Sequence, residues 1–165
     1  PVTRAMRPSV HPLHHPDTGT WSYVVADPQT RAAAIIDPVL DYDAKSGRTS
    51  TTSAALLMNT VMENSYQVAW ILESHAHADH ISAAPFLKKN LGGRIAIGKG
   101  ITLVQKVFKP IFNLDADFAT DGSQFDHLFE TDETFSVGDI QARVIATPGH
   151  TNDSVSYLIG DAVFV

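Results

Sequence analysis

Short apolar runs separated by Pro, Gly and Asp dominate the hydrophobic pattern of the chain, and such runs are typical of β-strands. Residues 21–26 and 31–37 lie on either side of an Asp-Pro turn and predict a hairpin. Residues 68–72 (VAWIL) form a continuous apolar run, which predicts a strand covered on both faces. From residue 133 onward the pattern predicts four more strands, two pairs of which are joined by Gly-Asp turns; they span residues 134–137, 140–146, 155–159 and 162–165.

The segments between these strands predict helices and loops. Roughly helical apolar spacing predicts a helix over residues 52–64, and a second helix is expected from residue 82 to residue 91, where a Gly-Gly pair ends it. Three further expectations are a loosely ordered lead-in over the first twenty residues, a polar loop over 41–48 and a turn or two of helix over 102–108. Residues 113–129 are polar and acidic, and we interpret them as a surface excursion. The interleaved elements predict one α+β domain over residues 1–165.

Composition and charge limit the partners, the location and the metal ligands that the chain can have. The 165 residues include 12 Lys+Arg and 18 Asp+Glu, for a net charge of −6, which argues against nucleic acid or an anionic membrane as the partner. No apolar stretch is long enough for a transmembrane helix. No secretory leader is visible and cysteine is absent from the sequence, which favours a cytoplasmic location. Without cysteine, a metal site must be built from His and carboxylate side chains.

Four candidate metal ligands lie within six residues, directly after the apolar run at 68–72. They are His75, His77, Asp79 and His80. In an extended segment alternate side chains point the same way, so His75 and His77 can face one point. Imidazole and carboxylate ligands suit zinc, iron and manganese. The alternative is a solvated polar loop, but the position at the end of a buried strand favours a metal site.

A second histidine signal follows the strand predicted at 140–146. His150 comes after a Pro-Gly turn, which can direct its side chain sideways from the strand end. Alone it is a weak signal, but together with the first cluster it becomes a candidate distant ligand. The other histidines are expected to be solvated, and the larger aromatic residues to be core residues; they are His11, His14, His15 and His127, and Trp21, Tyr23 and Trp70.

The motif His75-x-His77-x-Asp79-His80 (HxHxDH), with residues 147–151 (TPGHT) some seventy residues later, resembles the metallo-β-lactamase superfamily. The resemblance covers nearly the whole chain and implies an αββα sandwich with a metal site where the two sheets meet. Residues 22–28, 36–39 and 80–85 resemble the persulfide dioxygenase branch, also called sulfur dioxygenase or ethylmalonic encephalopathy protein-like. Residues 41–49 resemble a neighbouring bacterial subgroup of hydrolase-like proteins.

The resemblance implies two alternative metal centres, and we expect the first, that of a dioxygenase, with the hydrolase as the alternative. A persulfide dioxygenase holds one Fe(II) per chain, here with His75 and His150, and oxidises a small thiol persulfide, such as glutathione persulfide, to sulfite. Asp79 and His80 would then lie beside the ligands. A hydrolase similar to glyoxalase II holds two Zn(II) or a mixed Fe/Zn pair and cleaves thioesters or esters; His75, His77 and His150 would bind the first ion, and Asp79 and His80 the second. A third alternative is a non-catalytic or regulatory protein with an incomplete site.

Both enzyme families also need an aspartate from a later Gly-Asp pair. Asp161 follows Gly160, but it lies between two apolar runs, so we interpret it as a hairpin turn rather than a ligand. By the resemblance, the ligand follows Val165. We therefore expect that the 165 residues hold only the N-terminal part of the sandwich and belong to a longer chain, which could form a homodimer.

Overall fold

A computed structural model describes residues 6–77 and 80–165. The helices of this part of the chain are α1 (Thr52–Glu63), α2 (Ala84–Leu91) and α3 (Ile101–Ile111). Its strands are β1 (Ser9–His15), β2 (Thr20–Ala26), β3 (Ala32–Ile36), β4 (Val39–Asp43), β5 (Arg48–Ser50), β6 (Gln67–Leu72), β7 (Ile81–Ser82), β8 (Arg94–Gly98), β9 (His127–Phe129), β10 (Thr134–Val137), β11 (Ile140–Ala146), β12 (Val155–Ile159) and β13 (Ala162–Phe164).

The strands form two main sheets and a smaller one. The larger sheet has the order β1-β2-β3-β6-β8-β9, with antiparallel pairing in its first half and parallel pairing from β3 to β9. β10 to β13 form an antiparallel four-stranded sheet. β5, β4 and β7 form the small sheet. The predicted hairpin of β2 and β3 is confirmed, and Asp161 lies in the turn between β12 and β13, as expected.

Two hydrophobic cores lie on opposite faces of the larger sheet. In β3, Ala33 and Ile35 pack in the core under α1 and α2, whereas Ala34 and Ile36 pack in the core against the four-stranded sheet. This alternation follows from the two-residue period of a strand. The described residues thus form a layer of helices and two layers of sheet. None of the three helices has the length and apolar character that crossing a membrane requires.

The entry into α2 follows from local chemistry. Pro85 lies in the first turn, where its missing N–H costs no helical hydrogen bond. Gly92 ends the helix with a φ of 76°, a conformation that glycine adopts without a Cβ clash. The short strand β7 precedes α2 and pairs with β4, where Leu40 lies opposite Ile81. This pairing fixes the chain directly after His80.

The expectation of a loosely ordered lead-in is wrong for residues 9–15, which form β1. Pro12 is tolerated because β1 is an edge strand, where a missing N–H need not break a ladder hydrogen bond. The expectation of solvation is wrong for His15, which is buried and whose Nε2 lies 2.9 Å from Asp41 Oδ1. His11 is half-buried, and its Nε2 lies 2.9 Å from the Tyr66 hydroxyl.

Two predicted loops also contain regular structure. The expected polar loop at 41–48 is largely the hairpin of β4 and β5, in which Asp41 pairs with Ser50. The expected surface excursion ends in β9, which completes the larger sheet. There His127 is half-buried and its Nε2 lies 2.5 Å from Glu133 Oε2, so it is not simply solvated. The helix expected at 102–108 extends over Ile101–Ile111.

Candidate metal centre

Three segments of the chain meet at one edge of the sandwich. Asp37 directly follows β3 and Glu73 directly follows β6, and because these strands are parallel neighbours, their carboxyl ends lie side by side. The third segment is the loop between β11 and β12, which carries His150. It is joined to the second segment by the backbone N–H of Val155, which donates to the carbonyl oxygen of Ser74 at 2.9 Å.

His77 is held by two carboxylates. Its Nε2 lies 3.0 Å from Asp37 Oδ1 and 2.9 Å from Glu73 Oε2. Ligand atoms of these three residues all lie within 4.8 Å of one another, so the trio could itself take up a cation. Metal-binding histidines, however, commonly donate one ring N–H to a carboxylate and bind the ion through the other nitrogen. On that pattern Asp37 and Glu73 orient His77, and Nδ1 is its ligand atom.

The buried trio has strongly perturbed ionisation. Burial alone would lower the pKa of His77, but the hydrogen bonds and negative charges of Asp37 and Glu73 outweigh it and raise the pKa to about 10. Burial favours the neutral form of Asp37 too, yet its hydrogen bonds to His77 and Ser74 hold its pKa below the usual value. Burial raises the pKa of Glu73, and the nearby charge of Asp37 adds to that effect.

His75 and His80 are held in a similar way, each through Nδ1. His75 Nδ1 lies 2.8 Å from the hydroxyl of Ser74, and His80 Nδ1 lies 3.3 Å from the hydroxyl of Thr20. With Nδ1 engaged, Nε2 is the nitrogen through which either ring would bind an ion. The hydroxyls of Ser74 and Thr20 thus orient the two rings, and because a hydroxyl can donate or accept, they are compatible with either tautomer.

The four described histidines of the predicted site are brought together. The ring centres of His75 and His77 are 4.1 Å apart, those of His77 and His80 are 3.9 Å apart, and those of His75 and His150 are 5.0 Å apart. Two imidazoles on one tetrahedral ion have ring centres about 5 Å apart. His150 therefore lies within coordinating reach of the site of His75. The fifth predicted ligand, Asp79, lies outside the described residues.

Asp153 links the two histidine segments. It is buried, and its Oδ2 accepts a hydrogen bond of 3.0 Å from the backbone N–H of Ala76, which lies between His75 and His77. Its Oδ1 is also buried and has no hydrogen-bond partner among the described residues. Asp153 follows His150 by three residues, so its contact ties the loop of one candidate ligand to the segment that carries two others.

Two cavities open on His75 and His77. One, of about 510 Å³, also contacts His80 and continues beneath α3 among apolar side chains. The other, of about 530 Å³, is more polar and is lined by Asp37 and His150. Trp21 and Tyr23 line the second cavity as well. Trp21 is 50% exposed, so the expectation that it is a core residue is wrong.

Sequence reasoning missed three carboxylates of the site, Asp37, Glu73 and Asp153. Asp37 and Glu73 each follow a buried strand, which is the same signal that identified His75 and His77. Asp153 has no such signal, because its contact with Ala76 depends on how the two loops pack.

Comparisons with known proteins give the chain a family context. A sequence model of the metallo-beta-lactamase superfamily matches residues 15–165. The "Beta-lactamase hydrolase-like protein" of Agrobacterium fabrum is 50% identical over 151 residues, which cover 90% of this chain and 35% of that protein. Glyoxylase B2 of Dictyostelium discoideum is 50% identical over 151 residues, which cover 90% of this chain and 52% of that protein.

The persulfide dioxygenase branch is a more distant match. Mitochondrial persulfide dioxygenase ETHE1 of Bos taurus is 26% identical over 149 residues, which cover 90% of this chain and 47% of that protein. The crystal structure of ETHE1 from Myxococcus xanthus matches with a TM-score of 0.67 and 28% identity, covering 94% of this chain and 56% of that one. The predicted resemblance and fold are confirmed. The chain spans between about a third and somewhat more than half of the length of these proteins.

Proposed function

Because the chain belongs to the metallo-beta-lactamase superfamily, we propose that it is part of a metal-dependent hydrolase that cleaves thioesters or esters. The observation that carries the proposal is the gathering of four imidazoles, of His75, His77, His80 and His150, at one edge of the sandwich. Members of the superfamily are metal-dependent enzymes, mostly hydrolases. The two relatives at 50% identity have hydrolase-like and glyoxylase names, which favours this class.

The donor set fits a zinc or iron centre. It offers imidazole nitrogens and carboxylate oxygens, and the sequence contains no cysteine. In the proposal His75, His77 and His150 hold one ion, and Asp79 and His80 hold a second. Three of the four described imidazoles have one nitrogen fixed by a protein group, as in known metal sites where neighbouring groups orient the ligands.

When bound, the metal supplies Lewis acidity, which lowers the pKa of water and polarises a substrate carbonyl. The chain's own residues prepare the site. Asp37 and Glu73 fix the ring of His77, while Ser74 fixes the ring of His75. Asp153 holds the backbone of the segment that carries both histidines.

One further ligand is expected beyond the described site. Val165 lines the second cavity together with Asp37, His75 and His150. In the proposal, the late aspartate that the family resemblance implies completes the ligand set with the histidines.

A persulfide dioxygenase is the second candidate function. It is favoured by the similarity to ETHE1, which extends over 94% of the chain with a TM-score of 0.67. In this alternative one Fe(II) is held by His75 and His150 with the later aspartate, and Asp79 and His80 orient the surroundings. The substrate would be a small thiol persulfide, such as glutathione persulfide, and the product sulfite.

Metal content and oxygen uptake of the complete protein separate the two candidates. The hydrolase proposal predicts two metal ions per chain and cleavage of a glutathione thioester without oxygen consumption. One iron per chain with oxygen consumption on glutathione persulfide would instead establish the dioxygenase. A metal-loaded protein that shows neither activity would contradict both candidate functions and would favour a non-catalytic role. His77→Ala is the matched variant, since it should impair a two-metal centre more than a one-iron centre.

A further inference from the structure

The apolar cavity beside the candidate metal centre has a defined shape and position. It measures about 510 Å³, within the range of cavities that bind small molecules. His75, His77 and His80 line one end of it, and from there it continues between α2, β8 and α3 to residues 114–125. We call it the α3 cavity.

The lining of the α3 cavity away from the histidines is almost entirely apolar. Its aliphatic and aromatic side chains include Ile97, Ile101, Val104, Phe108, Phe118 and Phe125. The polar side chains at that end, Gln105 and Gln124, bond to each other at 2.9 Å. Gln105 Oε1 also accepts a hydrogen bond from Gly122 N–H, and the Gln124 amide donates to Ala119 O. Their polar groups therefore hold the wall together.

The outer wall of the cavity is anchored at several points. The ammonium group of Lys109 in α3 donates to the carbonyl oxygens of Ala116 and Phe118, at 2.7 and 2.6 Å. At the end of the wall, Asp126 accepts hydrogen bonds from Lys88 of α2 at 2.7 and 2.6 Å. Residues 113–129, which we interpreted from their polar composition as a surface excursion, thus form an ordered wall of the cavity.

We infer that the α3 cavity binds the apolar group of the substrate, so that the enzyme acts on thioesters or esters with an extended aliphatic or aromatic acyl group. This inference rests on the proposed hydrolase function and deepens it. Because burying a charged group among apolar side chains is costly, the apolar end of the cavity favours an uncharged group of the substrate. The histidine end then places the reacting carbonyl at the candidate metal centre. Continuity with the histidines favours a small molecule as the occupant.

The outer face of α3 supplies a matched control. Val104 lines the cavity, whereas Val107, one turn further along the helix, is 55% exposed and does not line it. Val104→Trp fills the cavity, and Val107→Trp adds the same side chain on the solvent side. A third variant, Phe108→Asn, makes the lining polar at a residue that is 39% exposed, so we expect the fold to tolerate the change.

Binding of straight-chain carboxylates tests the inference without relying on hydrolysis. Carboxylates are the acid products of thioester cleavage, and calorimetry on the complete, metal-free protein would compare butanoate, hexanoate and octanoate. Because each buried methylene strengthens binding about fourfold, affinity should rise with chain length. Val104→Trp should weaken octanoate binding at least tenfold and Phe108→Asn about fivefold, while Val107→Trp should leave it within twofold.

Three results would overturn the inference: affinity that does not depend on chain length, equal effects of the two tryptophan variants, or a change of oligomeric state in Val104→Trp alone. The last would assign the cavity to an interface between copies of the chain. Length-dependent binding without thioester cleavage would support the cavity's role and contradict the hydrolase proposal. Cleavage of a short-chain thioester without length-dependent binding would support the hydrolase proposal and contradict the cavity's role.

Discussion

The hydroxyl of Tyr157 gives a sharp test of how the site is held together. Tyr157 lies in β12 and is 0% exposed, and its hydroxyl donates a 2.7 Å hydrogen bond to the carbonyl oxygen of Glu73. Burial raises its pKa well above the usual value, and the charges of Asp37 and Glu73 add to the rise, so the hydroxyl stays a neutral donor. The bond links the strand after His150 to the segment before His75.

Tyr157→Phe removes this donor and keeps the ring in the core. The buried carbonyl of Glu73 then loses its bond to the hydroxyl, which costs about 1–3 kcal/mol in the free energy of unfolding. The neighbouring bond from Val155 N–H to Ser74 O remains, so the fold should survive. For a domain of this size, a loss of about 2 kcal/mol, the middle of that range, lowers the melting temperature by about 4–8 °C.

Urea unfolding of the metal-free complete protein, followed by circular dichroism, measures this loss. Tyr42→Phe is the control, because Tyr42 is 52% exposed and should change the free energy of unfolding by less than about 0.5 kcal/mol. If Tyr157→Phe were no more destabilising than Tyr42→Phe, the hydroxyl would not join the two segments, and our account of the site's support would be wrong.

Three further predictions concern two buried carboxylates and the histidine beside them. Asp37→Asn removes a charge that orients His77 and should weaken zinc binding about 10- to 100-fold in a chelator competition, whereas Asp43→Asn, at an exposed carboxylate, should not. The pKa of His77 is raised to about 10, so its contribution to the stability of the metal-free protein is complete below the ordinary histidine pKa of 6.5 and is lost as the pH rises through 10. The free energy of unfolding should fall by up to about 1.4 kcal/mol per pH unit in that window. Urea titrations from pH 7 to 10 should show this slope, and His77→Gln should flatten it. Asp153→Ala leaves the Ala76 N–H without its acceptor and should lower the free energy of unfolding by about 1–3 kcal/mol, and an unchanged urea midpoint would contradict that contact.

The sequence predicted the parts of the fold that local patterns determine. The apolar runs marked β2, β3, β6 and the later strands, since a strand buried on one or both faces needs such runs. The prediction failed for β1, because the Pro- and His-rich composition around it suggested loosely ordered structure. Burial alternates along that strand, with His11 and Leu13 more buried than Pro12, so a two-residue period was present.

The candidate ligands were predictable because they cluster on one strand end. His75, His77 and His80 lie within six residues, and the structure places His150 beside them. The carboxylates that hold His77 were not predictable as a group, because Asp37 and Glu73 come together only through the pairing of β3 with β6. The α3 cavity was missed because the polar composition of 113–129 hides its apolar inner side chains.

X-ray absorption of the zinc-loaded complete protein tests most directly whether the gathered imidazoles hold a metal. Our account predicts scattering from imidazole nitrogens at about 2.0–2.1 Å from the ion, with fewer imidazoles per ion in His75→Ala and in His150→Ala. A zinc shell made of oxygen alone, or one that stays the same in both variants, would contradict it.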